Sequence, residues 1–262
     1  MAKFKTESKD FLKVKKDTKT YTIVSKAKFE SFNENILGLG KIESKSEQIN
    51  AISVLFDLEG FTNFCRQIDP QLAVPEYLSE FLKWLFSQVR AELTEEAFAE
   101  GYKTYSDLPF LSKFMGDGIL FLFDTANMSE ISIMNIVWSM YEICNKYESD
   151  FYKKIRKKVV SPPPRLRCGI ARGAIYTVGD GNDFVGPCIN MSARLQKLNT
   201  LTFAFSRRGL NPEGKGIETS YTRYFDTMKT DIRGIGSEEL VCILKSEYGK
   251  LSKEDKAKFS NP

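Results

Sequence analysis

Histidine is absent from this 262-residue sequence. Its absence excludes Ser-His and Cys-His nucleophilic mechanisms, and it excludes every metal site that uses imidazole ligands. With no histidine, and with no CxxC pair among the cysteines, a metal ion in this protein is expected to be bound by oxygen atoms, and oxygen ligands favour Mg²⁺ or Mn²⁺.

The cysteines do not form a recognisable framework. The five of them are scattered and make no CxxC pair: Cys65, Cys144, Cys168, Cys188 and Cys242. This pattern indicates neither a set of disulfides nor a zinc site. We expect reduced thiols in or near the core.

Long hydrophobic runs are also missing. The longest uninterrupted apolar stretch runs from Ile119 to Phe123, whereas a membrane span needs roughly 18 residues. The first thirty residues lack the apolar segment of a secretion signal. We therefore expect a cytoplasmic protein. Its hydrophobic content of 42% is enough for the core of one domain.

Charge is nearly balanced, with 38 basic and 34 acidic residues giving a formal net charge of +4. Lysines concentrate at the two ends, nine of them between Lys3 and Lys28 and several more after Lys245. No arginine-rich run or aromatic stacking platform accompanies them. We expect solvated, partly flexible ends rather than a nucleic-acid surface.

The first part of the chain alternates strand and helix signals. Residues 51–57 form a β-branched and aromatic run that predicts a strand, and Gly60 precedes a helix start at Thr62. Apolar residues at helical spacing then predict a long amphipathic helix from Val74 to about Glu100.

Two segments predict β-hairpins. One pairs residues 110–114 with residues 119–123 and places Asp117 at its tip. The other pairs Arg167 to Ala171 with Ala174 to Val178 across the dipeptide between them.

Helical spacing returns at residues 130–156 and from about Pro187 to Leu198, and short strands are expected around Phe203 and Val241. The order of elements predicts an α+β sandwich in which helices cover a mainly antiparallel sheet.

Asp57 and Asp117 each stand at the end of an apolar strand segment that would otherwise avoid a charge. If the two strands are neighbours, the carboxylates converge and can hold two divalent ions. Alternatively, each aspartate caps a turn.

Backbone N–H groups follow the first carboxylate. Gly60, Phe61 and Thr62 offer free N–H groups at a helix start, which suit a phosphate chain. Thr62 is also compatible with an ordinary helix N-cap.

Asn190 and Arg194 are four positions apart and share one face of the predicted helix. The amide can hold a ribose oxygen, and the guanidinium can neutralise charge that grows on a phosphate during in-line attack. The alternative is a solvated helix face, and the flanking Gly186 favours a site.

Three stretches resemble the catalytic motifs of class III nucleotidyl cyclases: FDLEGFT, KFMGDGILFLF and RCGIARG…DFVGPCINMSARL. They cover about residues 50–245 in the family's order. The resemblance implies a ferredoxin-like α+β sandwich. It also implies that a ribose 3′-oxygen attacks the α-phosphorus of a nucleoside triphosphate and that pyrophosphate leaves. We accordingly assign residues 1–45 to an N-terminal extension, 46–245 to the catalytic domain and 246–262 to a basic tail.

The resemblance assigns roles by position. It implies that two divalent ions, Mg²⁺ or Mn²⁺, bind at Asp57, Leu58 and Asp117. Asn190 resembles the ribose-positioning amide and Arg194 the transition-state arginine. The substrate-binding positions that it implies are Gly60, Phe61, Thr62, Lys113, Asp183 and Arg233. Arg233 stands where the family usually has a phosphate-binding lysine, so the charge is kept and a planar fork is added.

Family sites form between two protomers, and this chain holds both sets of residues. The resemblance therefore implies a homodimer with two equivalent sites. We expect no nucleic-acid or membrane partner.

Lys113 and Asp183 fall at the family's base-reading positions. A donor with an acceptor fits adenine and equally cytosine, and it fits uracil with the partners exchanged. The pair excludes guanine better than it selects adenine. Phe121 occupies a position that is usually small in the family, so it either fills space left by a smaller base or is a sheet-core residue.

Longer stretches resemble the stand-alone pyrimidine cyclases of bacterial anti-phage Pycsar systems: FDLEGFTNFCRQIDPQLAVPEYL, LPFLSKFMGDG, LRCGIARG and LTFAFSRRG. Those enzymes make cyclic UMP or cyclic CMP, which triggers a separate effector. This resemblance implies UTP or CTP as substrate, with UTP favoured. A stand-alone adenylate cyclase and an inactive nucleotide-binding module are the alternatives.

Overall fold

The computed structural model describes residues 7–93, 108–198, 200–214, 217 and 220–262. The described chain divides into two units. The first contains the described part of Met1–Gln48 together with Tyr176–Val185. The second contains the described parts of Ile49–Ile175 and Gly186–Pro262.

The first unit begins with a hairpin. Strands β1 (Phe11–Lys16) and β2 (Lys19–Val24) pair in antiparallel register, and every residue of both except Val24 is exposed. Helix α1 (Lys26–Glu30) follows, and the Ser25 side chain caps it by accepting from the Lys28 N–H. The lysine-rich N-terminal segment is thus solvated but has regular secondary structure.

A loop held by a carboxylate completes the first unit. Strand β6 (Arg165–Val178) ends there and pairs with β7 (Asp183–Val185). Between them, the Asp180 carboxylate accepts hydrogen bonds from the Lys41 N–H and the Ser44 hydroxyl, both at 3.2 Å. These bonds tie the loop to the N-terminal segment.

One mixed sheet forms the centre of the second unit, with neighbour order β11-β9-β10-β8-β6-β3-β5-β4. Apart from β6, its strands are β3 (Gln48–Glu59), β4 (Leu111–Phe114), β5 (Gly118–Asp124), β8 (Phe203–Ser206), β9 (Phe225–Ile232), β10 (Gly236–Leu244) and β11 (Phe259–Ser260). Strands β6 and β8 run parallel, whereas β3–β5, β4–β5, β8–β10, β9–β10 and β9–β11 are antiparallel. The predicted mainly antiparallel sheet is confirmed.

The helices of the second unit are α2 (Phe61–Phe64), α3 (Pro70–Glu92), α4 (Glu130–Lys146), α5 (Tyr152–Ile155), α6 (Pro187–Leu195), α7 (Ser220–Tyr224), α8 (Lys245–Lys250) and α9 (Lys253–Lys256). A π-helical turn, Tyr147–Phe151, joins α4 to α5. Among the described helices, none is long and apolar enough to cross a lipid bilayer.

Alternation along β3 decides which helices cover which face of the sheet. Val54 and Phe56 point into the main core, together with buried residues of α3 and α4. Ser53 points to the opposite face, where its hydroxyl lies 2.7 Å from that of Ser192 in α6. Since side chains alternate along a strand, Asp57 shares the face of α6.

Two buried tyrosines anchor α3 to the π-helical turn. The hydroxyls of Tyr77 and Tyr147 lie 2.7 Å apart, and Tyr147 donates to the carbonyl of Pro163 at 2.6 Å. Burial raises the pKa of both hydroxyls. Each buried polar group is therefore paired and neutral.

The first predicted hairpin and the long helices are confirmed. Strands β4 and β5 pair around the turn, and α3 begins at Pro70 rather than Val74. The expected extension of α3 to Glu100 lies outside the described residues.

The second predicted hairpin is wrong, because β6 runs without interruption from Arg165 to Val178. A two-residue hairpin needs left-handed backbone at its turn, and Gly173 does not have it.

The C-terminal segment packs within the second unit instead of extending as a solvated tail. Strand β11 pairs with β9, and Leu251 and Phe259 are buried. The many lysines of this segment conceal these two apolar anchors in the sequence.

The thiol prediction is confirmed, since four cysteines are buried, Cys65 is half-buried, and all five are free.

Candidate active site

The backbones of Asp57 and Asp117 meet at the end of two neighbouring strands. Asp57 on β3 lies opposite Gly118 on β5, and the Leu58 N–H donates to the carbonyl of Asp117 at 3.0 Å. Strand β3 thus ends where β5 begins, which fulfils the condition under which the carboxylates can converge. The Asp57 side chain is buried, and Asp117 is half-buried.

Two cations neutralise the buried Asp57 carboxylate. The Arg167 guanidinium donates to Oδ2 from Nε at 3.1 Å and also from Nη2, and Lys197 Nζ lies 3.7 Å from Oδ1. Burial of a charge is costly unless it is paired. These cations therefore make a charged strand end compatible with the fold.

Sequence reasoning missed both cations. Arg167 carries the same signal as the aspartates, a charge within an apolar strand, but its partner is 110 positions away. A second pair repeats the pattern two residues along each strand, where Arg165 Nη2 donates to Glu59 Oε1 at 2.8 Å. Two arginines at alternate positions of β6 thus pair with two carboxylates at alternate positions of β3.

The residues at this strand end fit a divalent metal ion by their donor chemistry. Mg²⁺ and Mn²⁺ prefer oxygen ligands, and the two aspartates with nearby backbone carbonyls supply oxygen. Asp57 already accepts cationic partners. In the described ranges, no three or more Cys, Asp or Glu side chains gather as a metal cluster. An ion held by the two aspartates would therefore need further oxygen ligands, such as water.

The segment after Asp57 turns sharply into α2. Gly60 adopts a left-handed conformation (φ 80°) and is the N-cap of α2, a position at which other residues are strained. Thr62 is the second residue of the helix, so the N-cap alternative for Thr62 is wrong. Gly60 and Thr62 are exposed and Phe61 is half-buried.

Helix α6 presents Asn190 and Arg194 on its exposed face, one turn apart. Its other face is buried and includes Cys188, Ser192 and Leu195. Pro187 occupies the first turn, where its missing N–H costs nothing. The predicted shared face is therefore present, and it faces outward from the sheet.

A cavity of about 480 Å³ lies beside this face. Asn190, Arg172, Arg208 and Gly234 line it. A Cβ placed on Gly234 would lie 3.9 Å from Arg194 Nη2, so the turn between β9 and β10 adjoins the Arg194 guanidinium. Arg233 in that turn is exposed. The structure thus gathers several guanidinium groups here, an arrangement that suits phosphate oxygens.

Cys188 also lines the cavity, and burial sets the pKa of its thiol. Cys188 sits in the first turn of α6, where helix N–H groups ordinarily stabilise a thiolate. Burial outweighs the backbone N–H groups of Ile189 and Cys188 and raises the pKa of the thiol to about 11. Cys188 is therefore neutral at physiological pH and is not an activated nucleophile.

Lys113 lies in β4 of the second unit and is half-buried. Asp183 begins β7 of the first unit, where its Oδ1 accepts the Phe184 N–H at 2.9 Å. Their assignment to base recognition stays a prediction.

Phe121 is a sheet-core residue, as one of the two interpretations predicted. It is fully buried and packs edge-to-face on Phe56 and Phe86, at centroid distances of 6.2 and 5.5 Å. Its side chain shares the core face with Phe56, opposite to Asp57. Phe121 therefore does not fill space beside the candidate site.

No protein-family model and no curated protein matches this sequence. Solved structures match in fold. The guanylyl cyclase Cya2 aligns with a TM-score of 0.56 and 16% identity, over 76% of this chain and 93% of its own. The adenylyl cyclase CyaB from P. aeruginosa aligns with a TM-score of 0.56 and 13% identity, over 80% of this chain and 98% of its own. The expected fold class is confirmed: this chain has the α+β fold of class III adenylyl and guanylyl cyclases.

Proposed function

We propose that this protein is a nucleotidyl cyclase, which converts a nucleoside triphosphate into its 3′,5′-cyclic monophosphate and pyrophosphate. The observation that carries the proposal is the meeting of Asp57 and Asp117 at the neighbouring ends of β3 and β5. The fold shared with two proteins named as cyclases supports it.

The strand-end carboxylates would hold two divalent ions, Mg²⁺ or Mn²⁺. Such ions, when bound, help to ionise a hydroxyl group and neutralise phosphate charge. Asp57 and Asp117 would supply the carboxylate ligands, and Leu58 would contribute a backbone oxygen. Arg167 keeps the Asp57 carboxylate in one orientation through its two hydrogen bonds.

The exposed face of α6 would act on the reacting sugar and phosphate. The Asn190 amide would orient the ribose, so that the 3′-oxygen forms its bond to the α-phosphorus in line with the breaking bond to pyrophosphate. The Arg194 guanidinium would neutralise the charge that grows on the phosphate oxygens during this step. Arg233, in the adjoining turn, would bind the leaving phosphates.

We further propose that the active enzyme is a homodimer with two shared sites. One protomer would supply Asp57 and Asp117, and its partner would supply Asn190 and Arg194. Two identical chains related by a two-fold axis would then form two equivalent sites. The presence of both residue sets in one chain supports this assembly.

The substrate we propose is UTP, in preference to CTP or ATP. The resemblance of several stretches to anti-phage pyrimidine cyclases supports a pyrimidine, and a donor and an acceptor at Lys113 and Asp183 are compatible with uracil. In this proposal cyclic UMP is a messenger of anti-phage defence that activates a separate effector protein.

The decisive experiment incubates the purified protein with Mn²⁺ or Mg²⁺ and ATP, GTP, CTP or UTP separately, and identifies products by mass spectrometry. Cyclic UMP is expected. Cyclic CMP or cyclic AMP would support the proposed cyclisation but contradict the choice of UTP as substrate. Cyclic AMP would indicate a stand-alone adenylate cyclase. The absence of any cyclic product would contradict the proposed reaction and favour a nucleotide-binding module.

A further inference from the structure

A buried acidic residue lies beneath the turn that carries Arg233. The side chain of Glu239, in β10, is 3% exposed, and its carboxylate pairs with Arg208 Nη2. A buried carboxylate without a cation would be strongly destabilising. Glu239 therefore fixes one nitrogen of the Arg208 guanidinium.

A β-bulge directs Glu239 to this position. Gly236 pairs with Ile232, and Glu239 pairs with Thr230. Between these two pairs the chain advances three residues along β10 but only two along β9, so β10 contains one extra residue. One extra residue reverses which face the following side chains occupy. Without the bulge, Glu239 would point to the opposite face of the sheet.

The carboxylate fills the space under the turn. A Cβ on Gly236 would lie 2.4 Å from Glu239 Oε1, so a larger residue at this position would displace the carboxylate. The turn and the carboxylate are thus packed directly on each other, and Glu239 connects the turn to the end of β8 through Arg208.

Arg208 is anchored at one end and accessible at the other. Its side chain is 69% exposed although its partner is buried, and it lines the cavity that also contains Asn190 and Gly234. A guanidinium has five N–H donors, and the contact with Glu239 leaves others directed elsewhere. An anchored, exposed guanidinium in a cavity is preorganised for an anion.

We propose that Arg208 is a further phosphate-binding residue of the Asn190 cavity and that buried Glu239 positions it. The inference rests on the proposed function, because it takes the polyphosphate of a nucleotide as the ligand. Arg172 also lines the cavity, but its side chain is only 21% exposed, whereas that of Arg208 is 69% exposed. We therefore assign the additional contact to Arg208.

Inorganic tripolyphosphate is the probe, because it reports phosphate binding without a base and without turnover. Its Kd is measured by titration calorimetry in a buffer free of divalent ions. The double variant Arg208→Gln/Glu239→Gln removes one positive and one negative charge, so the net charge of the protein is unchanged. We expect tripolyphosphate to bind about tenfold more weakly to this variant, as for the loss of a charge-assisted hydrogen bond.

The matched control removes another ion pair without changing the net charge. Lys245 Nζ lies 3.4 Å from Asp226 Oδ1, and the two side chains are 44% and 45% exposed. The variant Asp226→Asn/Lys245→Gln is expected to bind tripolyphosphate as the wild type does. The single variant Arg208→Lys keeps the ion pair with Glu239 but loses the planar fork, and it should give an intermediate Kd. Thermal melting verifies that each variant is folded.

A double variant that is folded and binds tripolyphosphate within about twofold of the wild type would overturn the inference. It would also be overturned by a wild type that does not bind the probe, or by a control pair that weakens binding equally. The cyclase assay is scored separately. Arg208-dependent binding without any cyclic product would contradict the proposed reaction and leave the phosphate site standing.

Discussion

The buried carboxylate of Asp57 accepts two hydrogen bonds from the guanidinium of Arg167, although the two residues are 110 positions apart. The Asp57 side chain is 4% exposed and that of Arg167 is 16% exposed. A residue that serves only as a turn cap has no need of such a partner. The pair therefore fixes the Asp57 carboxylate at the end of β3, next to Asp117, which immediately precedes β5.

Replacing Asp57 or Asp117 with asparagine is expected to abolish cyclic-nucleotide formation. Asp57→Asn also removes the charged partner of Arg167, so a lower Tm is expected for that variant. Asparagine keeps the shape of the side chain but removes the charge that a divalent ion requires. Product formation is measured by mass spectrometry, and folding is measured by circular dichroism. Asp124→Asn, at the exposed far end of β5, is the control and should retain activity. Full activity of either site variant would remove the metal-binding assignment.

Replacing Arg194 with alanine is expected to lower kcat by about 10²-fold or more, because this guanidinium acts on charge that develops in the transition state. Steady-state kinetics separate kcat from KM. Arg223→Ala removes the same charge from an exposed arginine that lies over Tyr224, and it should change neither constant. If Arg194→Ala raises KM alone, Arg194 binds the substrate in the ground state.

The positions of Asp57 and Asp117 could be predicted because each ends an apolar run, and a charge there demands a local explanation. They become neighbours through a single antiparallel pairing, that of β3 with β5, in which Asp57 lies opposite Gly118. Arg167 could not be assigned in the same way. Its pairing requires knowledge that β6 lies next to β3, which is a long-range feature of the sheet.

Local glycine signals were an unreliable guide to turns. Gly116 adopts a left-handed backbone in the predicted turn between β4 and β5, whereas Gly173 continues a strand. The anchoring of the C-terminal segment was equally hidden, because two buried apolar residues decide it among many lysines. The Arg208–Glu239 pair depends on a β-bulge, and no residue pattern in the sequence identifies that bulge.

Replacing Gly169 with alanine is expected to destabilise the protein and displace α6. The added Cβ would lie 2.2 Å from the Ser192 carbonyl oxygen and 2.3 Å from the Gln196 nitrogen, both backbone atoms. Such overpacking costs about 3 kcal/mol, measurable as a lower Tm. Activity should fall as well, since α6 carries Asn190 and Arg194.

Gly249→Ala is the matched control for Gly169→Ala. A Cβ at Gly249 would meet no atom within 4 Å, and the residue lies in α8. Alanine favours a helix over glycine by up to about 1 kcal/mol. The expected Tm is therefore equal or higher. Equal effects of the two substitutions would refute the close packing of α6 on β6.

The free energy of unfolding is expected to fall as pH rises above about 9, the ordinary thiol pKa in the unfolded chain. Burial raises the pKa of Cys188 to about 11 and that of Cys242 to about 12. The folded state therefore retains protons that the unfolded state loses, and each group costs up to about 1.4 kcal/mol per pH unit. Urea unfolding at pH 8, 9 and 10 measures this slope. A Cys188→Ala/Cys242→Ala variant should show a shallower slope, and an unchanged slope would contradict the assignment.

Mixing two inactive variants is expected to restore activity if the sites are shared between protomers. Asp57→Asn removes the metal side of a site, and Arg194→Ala removes the α6 side. In a mixed dimer, one site carries both changes and the other carries neither. Random exchange at equal concentrations makes half of the dimers mixed, so about a quarter of wild-type sites should be intact. Activity equal to the sum of the separate variants, despite exchange verified by mass spectrometry, would place each complete site within one chain.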